Sequence, residues 1–449
     1  MTLLPIETLL NGGRHDDVPV AVTRGHILAL GGLRGRIAHN AARLREKHPT
    51  RALLVCEDSA EFLVGLLTLA ALGCHIVLPP NAQPGTLKLF ADSVDFLLTD
   101  QPVPDFGTVH VLEEVQARVD RIAINNAAID FFTSGSTGAM KRVGKSLAVL
   151  QREGETLERV WGEALEQDTQ AFGTVSHQHI FGLAFKVIWP FLSGRCFAGQ
   201  NYLTWESLLR DLTPGALIVS SPAHLTRLGG LEALLPVRQP RLIFSAGAPL
   251  PPAAVSETDA IFGVAPVEIF GSTETSALAW RRGLSVEPLW RLLPGITARA
   301  NDDGLLEVRS PFVLGREPCV LSDRVAFTAD DSFRFLGRAD SVLKIEGKRV
   351  NILELEQRIA SLLWIKAAAV ALMPGARLRL GAVASLSPAG AAALAEQGKF
   401  RFVRALRREL LDSHDPAVLP RRWRFIDEIP IDRMGKRRSS EIAALLDTA

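Results

Sequence analysis

The sequence predicts an α/β multidomain fold. A large N-terminal part of helix-covered β-sheets with a small β-rich subdomain precedes a small α+β C-terminal part. Three observations carry this. Strand-length apolar runs alternate with helix-length runs through the first half, the pattern of parallel sheets covered by helices. The chain has 449 residues, more than one hydrophobic core usually organises. The charge balance also changes near Arg338: from there to the end stand 20 Lys+Arg against 13 Asp+Glu, and before it 30 against 36.

Taken in order, Leu33 to Lys47 reads as an amphipathic helix and Arg51 to Cys56 as a short strand. Ala60 to Leu72 is a mostly apolar helix, and His75-Ile76-Val77-Leu78 is the next strand. The stretch from Phe62 to Leu78 lacks charge, but Gly73, His75 and the following Pro79-Pro80 mark it as a buried helix and strand. A membrane span needs about 20 apolar residues. Further strands are expected at Asp95 to Asp100, Ala216 to Ser220 and Arg241 to Ser245. A β-rich region runs from Ile296 to Phe335, broken at Asp302-Asp303-Gly304 and Asp330-Asp331. Beyond it come a helix from Ile352 to Leu363, a strand from Ala367 to Met373 and a basic helix from Phe400 to Leu411. Domains are therefore expected at 1–339 and 340–449.

Composition excludes several classes. The net charge of +1 indicates neither nucleic-acid nor membrane-surface binding. Four scattered cysteines without a C-x-x-C pair fit a reducing cytoplasm rather than a disulfide framework or a zinc site. The N-terminus lacks a basic, then apolar, leader, so a cytoplasmic location is expected. The basic C-terminal part is suited to an acidic protein or to a phosphate-rich cosubstrate.

The segment Phe132-Thr133-Ser134-Gly135-Ser136-Thr137-Gly138-Ala139-Met140-Lys141 gathers four hydroxyls, two glycines and a lysine. Glycines let the backbone approach an anion, and successive N–H groups in a turn form an anion-binding concavity. It is not a Walker A loop, because G-x-x-x-x-G-K-[ST] is absent. Four more segments follow in order. They are Phe270-Gly271-Ser272-Thr273-Glu274, Ser322-Asp323, Gly337-Arg338-Ala339-Asp340 continuing to Lys344-Ile345-Glu346-Gly347, and Pro430 to Lys436.

This array resembles the adenylate-forming superfamily, which comprises AMP-forming acyl- and aryl-CoA synthetases, acyl-carrier-protein ligases and adenylation domains. The resemblance covers nearly the whole chain. It implies that ATP activates a carboxylic acid as acyl-AMP, with Mg²⁺ as cofactor. The acyl group then passes to coenzyme A or to the phosphopantetheine of an acyl carrier protein. It also implies a mobile C-terminal lid with a hinge at Asp340.

By that resemblance Thr133, Ser134, Gly135, Ser136, Thr137, Gly138 and Lys141 hold the β- and γ-phosphates. Gly247, Ala248 and Pro249 border the adenine edge, and Phe270 with Gly271 stacks on the base. Thr273 touches the α-phosphate and Glu274 holds the metal. Asp323 accepts from the ribose hydroxyls, with Arg338 beside it. Lys436 is the catalytic lysine, and Gly347 lines the thiol tunnel. His179, Phe181 and Gly182, within Ser176-His177-Gln178-His179-Ile180-Phe181-Gly182, meet the acid. The aspartate that marks amino-acid-activating relatives is missing there. Two histidines at this spacing without acidic or thiol neighbours do not make a metal site.

Two departures stand out: Met140 replaces a usual proline, and Leu321-Ser322-Asp323 replaces Thr-Gly-Asp. The run Leu419 to Phe425 resembles bacterial ligases of aryl polyene pathways, so an aryl acid is expected, with a fatty acid next. A catalytically impaired nucleotide-binding relative that serves as a carrier-protein scaffold is the competing reading. The presence of Lys141, Glu274 and Lys436 opposes it.

Overall fold

In the computed structural model the described residues are 2–115, 117, 121–134, 140–283, 289–315, 318–328, 330–339, 342–345, 348–373, 379–411, 413–431 and 439–447. They form two compact units, one of 1–297 with 309–318, the other of 298–308 with 319–449.

The first unit contains β1 (Pro19–Thr23), β2 (His26–Ala29), β3 (Arg51–Val55), β4 (His75–Leu78), β5 (Phe96–Thr99) and β6 (Val109–Val111). These are followed by β7 (Ala128–Ser134), β8 (Met140–Ser146), β9 (Gln170–Gly173) and β10 (Cys196–Ala198). Next come β11 (Leu217–Ser220), β12 (Leu242–Ala246), β13 (Val267–Ser272), β14 (Ser276–Arg282) and β15 (Trp290–Leu292). One sheet has the order β6-β5-β3-β4-β7-β8 and is parallel except for the β7–β8 hairpin. A second runs β15-β14-β13-β12-β11-β9-β10-β1-β2, parallel from β13 to β1.

The central parallel strands β3, β4, β5, β11 and β12 are buried on both faces, so they read as continuous apolar runs rather than alternating ones. Leu53, Val77 and Leu97 share one core cluster, and Phe172, Ile218 and Ile243 another. The uncharged run of the sequence is helix Ser59–Ala71 followed by β4. That helix starts where Asp58 accepts from the N–H groups of Ala60 at 2.7 Å and Glu61 at 3.3 Å. Among the described residues no helix is long and apolar enough to cross a membrane.

The second unit holds β16 (Thr297–Ala300), β17 (Leu305–Arg309), β18 (Cys319–Phe327) and β19 (Ser332–Arg338), arranged in that order. A hairpin of β20 (Val342–Ile345) and β21 (Lys348–Asn351) leads to helix Ile352–Ala360, which Asn351 caps. A three-stranded sheet follows, made of β22 (Ile365–Met373), β23 (Arg379–Leu386) and β24 (Arg422–Phe425). Its alternation serves two cores: Ala368 and Val370 face one, Ala369 and Ala371 the other. Within Pro388–Leu410 the backbone is not helical at Gly398, where φ is +73°, so an alanine-rich helix precedes it and the basic helix follows it, close to the expected Phe400.

By compactness β16–β19 group with the C-terminal segment, not with residues 1–297. Antiparallel ladders tie β17, β18 and β19 to one another. The boundary expected at 340 concerns a hinge, and Asp340 lies outside the described residues.

Candidate active site

The described ends of the predicted phosphate segment belong to the paired strands β7 and β8. Thr133 stands opposite Lys141 and Ser134 opposite Met140 in their register. Residues 135–139, with Gly135, Ser136, Thr137 and Gly138, lie outside the described residues, as does the side chain of Ser134. Strand alternation puts Lys141 and Lys145 on one face of β8. Both reach the same residue of another sheet. Lys141 Nζ meets the Glu274 carboxylate at 2.6 Å, and Lys145 Nζ donates to the Glu274 carbonyl at 2.8 Å and to the Phe312 carbonyl at 2.6 Å.

Glu274 does not start a helix. It sits in the turn between β13 and β14, beside Thr273. The turn is closed by Ser272 and Thr275, whose side chains each accept from the other's backbone N–H, at 3.3 and 3.0 Å. Gly271 is required by close approach: a Cβ there would stand 2.1 Å from the Ser276 carbonyl oxygen. From beneath, buried Glu153 accepts from the Ala277 N–H at 3.0 Å, and burial pushes its carboxyl up. Burial also raises the Glu274 carboxyl, but its bond to Lys141 and that cation's charge outweigh this and leave it below the usual value.

A magnesium ion carried by phosphates fits this donor set. Such an ion takes one or two carboxylates and keeps phosphate and water oxygens. Glu274 supplies one carboxylate. No group of three or more His, Cys, Asp or Glu forms a cage of its own among the described residues.

Open α/β sheets bind ligands beyond the carboxyl ends of their strands. Three predicted segments stand there. β12 ends in the exposed turn of Gly247, Ala248 and Pro249, with φ of +101° at Gly247. β13 ends in Phe270 and Gly271, the Phe270 ring lying 5.3 Å from that of Trp290. β9 leads into Ser176 to Gly182. There His179 precedes the short helix Ile180–Gly182, and Gly182 packs so closely that a Cβ would stand 2.2 Å from the Ser176 carbonyl oxygen. Phe181 lies 4.8 Å from Phe185, which continues to Phe244 at 5.1 Å and from there to Trp161 at 4.9 Å.

In the second unit Asp323 and Arg338 are direct partners across β18 and β19. Ser322 lies within extended β18 and has no positive φ, so the missing glycine leaves no strain. Lys436, Asp340 and Gly347 lie outside the described residues.

Sequence reasoning missed Lys145, Glu153 and a largely buried polar ring behind Ser176–Gly182. The ring has one lysine, Lys186, isolated in the apolar run Ile180 to Leu192. That isolation was the available signal.

A family model described as AMP-binding enzyme matches residues 12–303. The 4-coumarate–CoA ligase of Rhodobacter capsulatus is 30% identical over 339 residues, 74% of this chain and 82% of that one. A benzoate CoA ligase from Burkholderia xenovorans superposes with a TM-score of 0.78 at 19% identity, over 97% of this chain and 98% of that one. The O-succinylbenzoate coenzyme A synthetase of Bacillus subtilis, solved with AMP, gives 0.79 at 15% identity, over 98% of each chain. The two structural likenesses speak to the fold.

Proposed function

The chain belongs to the AMP-binding family of adenylate-forming enzymes, and on that premise we propose that it is an ATP-dependent acid–thiol ligase for an aromatic carboxylic acid. The observation that carries this reading is the meeting of Lys141 with Glu274 at 2.6 Å, a phosphate cation beside a metal carboxylate. The names of the relatives support an aromatic acid. So does the ring cluster of Phe181, Phe185, Phe244 and Trp161 behind the acid segment.

In the first step a carboxylate oxygen attacks the α-phosphorus, and the bond to the bridging oxygen of pyrophosphate breaks. An anion meets a polyanion, so preorganised positive groups dominate the barrier. Lys141, Thr133, Ser134, Ser136 and Thr137 hold the β- and γ-phosphates. Thr273 orients the α-phosphate, and Lys436 bridges it to the attacking carboxylate as a compact charge. Glu274 would hold Mg²⁺, which when bound neutralises phosphate charge.

Phe270 and the Gly247–Pro249 turn take the adenine. Asp323 takes the ribose hydroxyls with Arg338 beside it. His179, Phe181 and Gly182 border the acid. In the second step a thiol sulfur attacks the acyl carbon and AMP leaves. Rotation at Asp340 brings Gly347 to the thiol path.

Coenzyme A is the acceptor that the relatives' names favour. A carrier protein is the second reading, supported by a basic exposed face on helix Pro388–Leu410. There Lys399, Arg401, Arg404 and Arg408 surround Phe400, which is 80% exposed.

ATP–pyrophosphate exchange over benzoic, cinnamic and fatty acids tests the first step. AMP release with coenzyme A or a pantetheinylated carrier protein tests the second. Acid-dependent exchange that Lys436→Ala abolishes is expected. Exchange that survives this substitution would remove Lys436 from its role, and none with any acid would favour a binding relative.

A further inference from the structure

Lys186 is fully buried, yet its ammonium meets three oxygens of neutral groups. Its Nζ donates to Ser59 Oγ at 2.9 Å, to the Gln200 carbonyl at 2.8 Å and to Asn201 Oδ1 at 2.8 Å. Ser59 Oγ, so occupied, directs its own proton to His177 Nδ1 at 2.8 Å. His177 Nε2 therefore carries the ring hydrogen and donates to the Cys56 carbonyl at 3.0 Å. Asn201 Nδ2 closes the ring at 3.4 Å from His177 Nδ1. The carboxylate of nearby Asp58 is engaged elsewhere, by Thr23 Oγ1 at 2.6 Å and by the start of helix Ser59–Ala71.

Burying a charge among neutral acceptors is costly, and burial lowers the Lys186 ammonium to about 7. A methionine would fill the same space without that cost. Satisfied buried networks specify one arrangement of the chain. The arrangement specified here concerns the acid segment. Lys186 lies in the π-helical turn Leu183–Ile188 directly after Gly182, and His177 lies within the segment, two residues before His179. Such turns are frequent at functional sites.

We infer that Lys186 is a positioning residue for the acid-binding segment Ser176–Gly182, acting through Ser59, His177 and Asn201. The inference rests on the ligase reading given above. It assigns to the ring the presentation of His179 and Phe181 to the acid, and no part in nucleotide binding.

Lys186→Met and the milder Ser59→Ala test it by exchange kinetics, with KM measured separately for acid and for ATP. Leu208→Ala, a truncation in the core cluster of Phe172, controls for general destabilisation. The expected result is an acid KM raised about ten-fold in both ring variants, with the ATP KM unchanged, a smaller penalty than the about 10²-fold that a 1 Å misplacement can carry. Discrimination across the acid panel should flatten, and Leu208→Ala should show neither effect. If Lys186→Met does not fold, Ser59→Ala decides. Unchanged acid KM in the ring variants, or equal shifts for acid and ATP, would overturn the inference alone. Wild-type protein without acid-dependent exchange would overturn the ligase reading and the inference with it.

Discussion

The turn Ser272–Thr275 and the segment Ser176–Gly182 both follow the carboxyl ends of parallel strands, yet opposite means hold them. The turn is fixed through its backbone: Lys145 grips the Glu274 carbonyl and Glu153 grips the Ala277 N–H. That leaves the Glu274 carboxylate on an open pair, with 61% of the Lys141 side chain and 33% of the Glu274 side chain exposed. Segment Ser176–Gly182 is tied through side chains, in a ring of buried His177, Ser59 and Lys186 that half-buried Asn201 closes. An exposed pair contributes little and can exchange partners when phosphates arrive. A largely buried ring exchanges partners far less readily, so it presets a shape. Under the proposed function, the difference separates a site that must answer a changing charge from one that must select a form.

The largest expected effect is on chemistry at the open pair. Glu274→Ala should lower acid-dependent pyrophosphate exchange by about 10²–10³-fold, the scale for losing one electrostatic stabiliser. Thermal unfolding should stay close to wild type, and a large loss of stability would erase the contrast.

Next in size is the backbone grip. Lys145→Met strands the Glu274 and Phe312 carbonyls and should cost about 2–3 kcal/mol in urea unfolding. A change below 1 kcal/mol, on that same scale of about 1–3 per unsatisfied group, would mean that the turn holds itself.

The largely buried ring predicts a pH dependence. Burial holds the folded His177 imidazole neutral down to about 3, whereas the unfolded chain protonates it near its ordinary 6.5. Between those values the unfolded state binds the extra proton, so acid favours unfolding. Stability should fall by about 1.4 kcal/mol per pH unit below 6.5 from this group. His177→Asn should flatten that slope in melts between pH 6.5 and 5. An unchanged slope would show that His177 is not held neutral.

Smallest is the open pair's share of stability. Lys141→Met should change unfolding free energy by less than about 1 kcal/mol while weakening nucleotide binding. A larger loss would make the pair structural, like the ring.

Local pattern carried much of the fold. His75 to Leu78 is β4 residue for residue, and the uncharged run from Phe62 is a buried helix and strand. Their apolar periodicity and flanking breaks are local signals. The break at Gly398 falls just before Phe400, where the basic helix was expected to start. Strand order was not legible, since the pairing of β4 with β7 depends on closures across some fifty residues.

In the site, motif spacing marked Lys141 and Glu274, and the structure joins them. The same strand's Lys145 stayed invisible, because a lysine in a basic strand looks solvated until its partners are known. Ser322, the departure from Thr-Gly-Asp, sits in extended backbone that needs no glycine, a property that sequence alone does not disclose.

The four-residue step from Lys141 to Lys145 also works as a length gauge. Side chains change sides at every residue of a strand, so only an even step lets one ammonium reach the Glu274 carboxylate while the other reaches its carbonyl. Deleting one residue between them would turn Lys141 away from Glu274 without altering any residue type. This short stretch should therefore tolerate changes of spelling far better than changes of length.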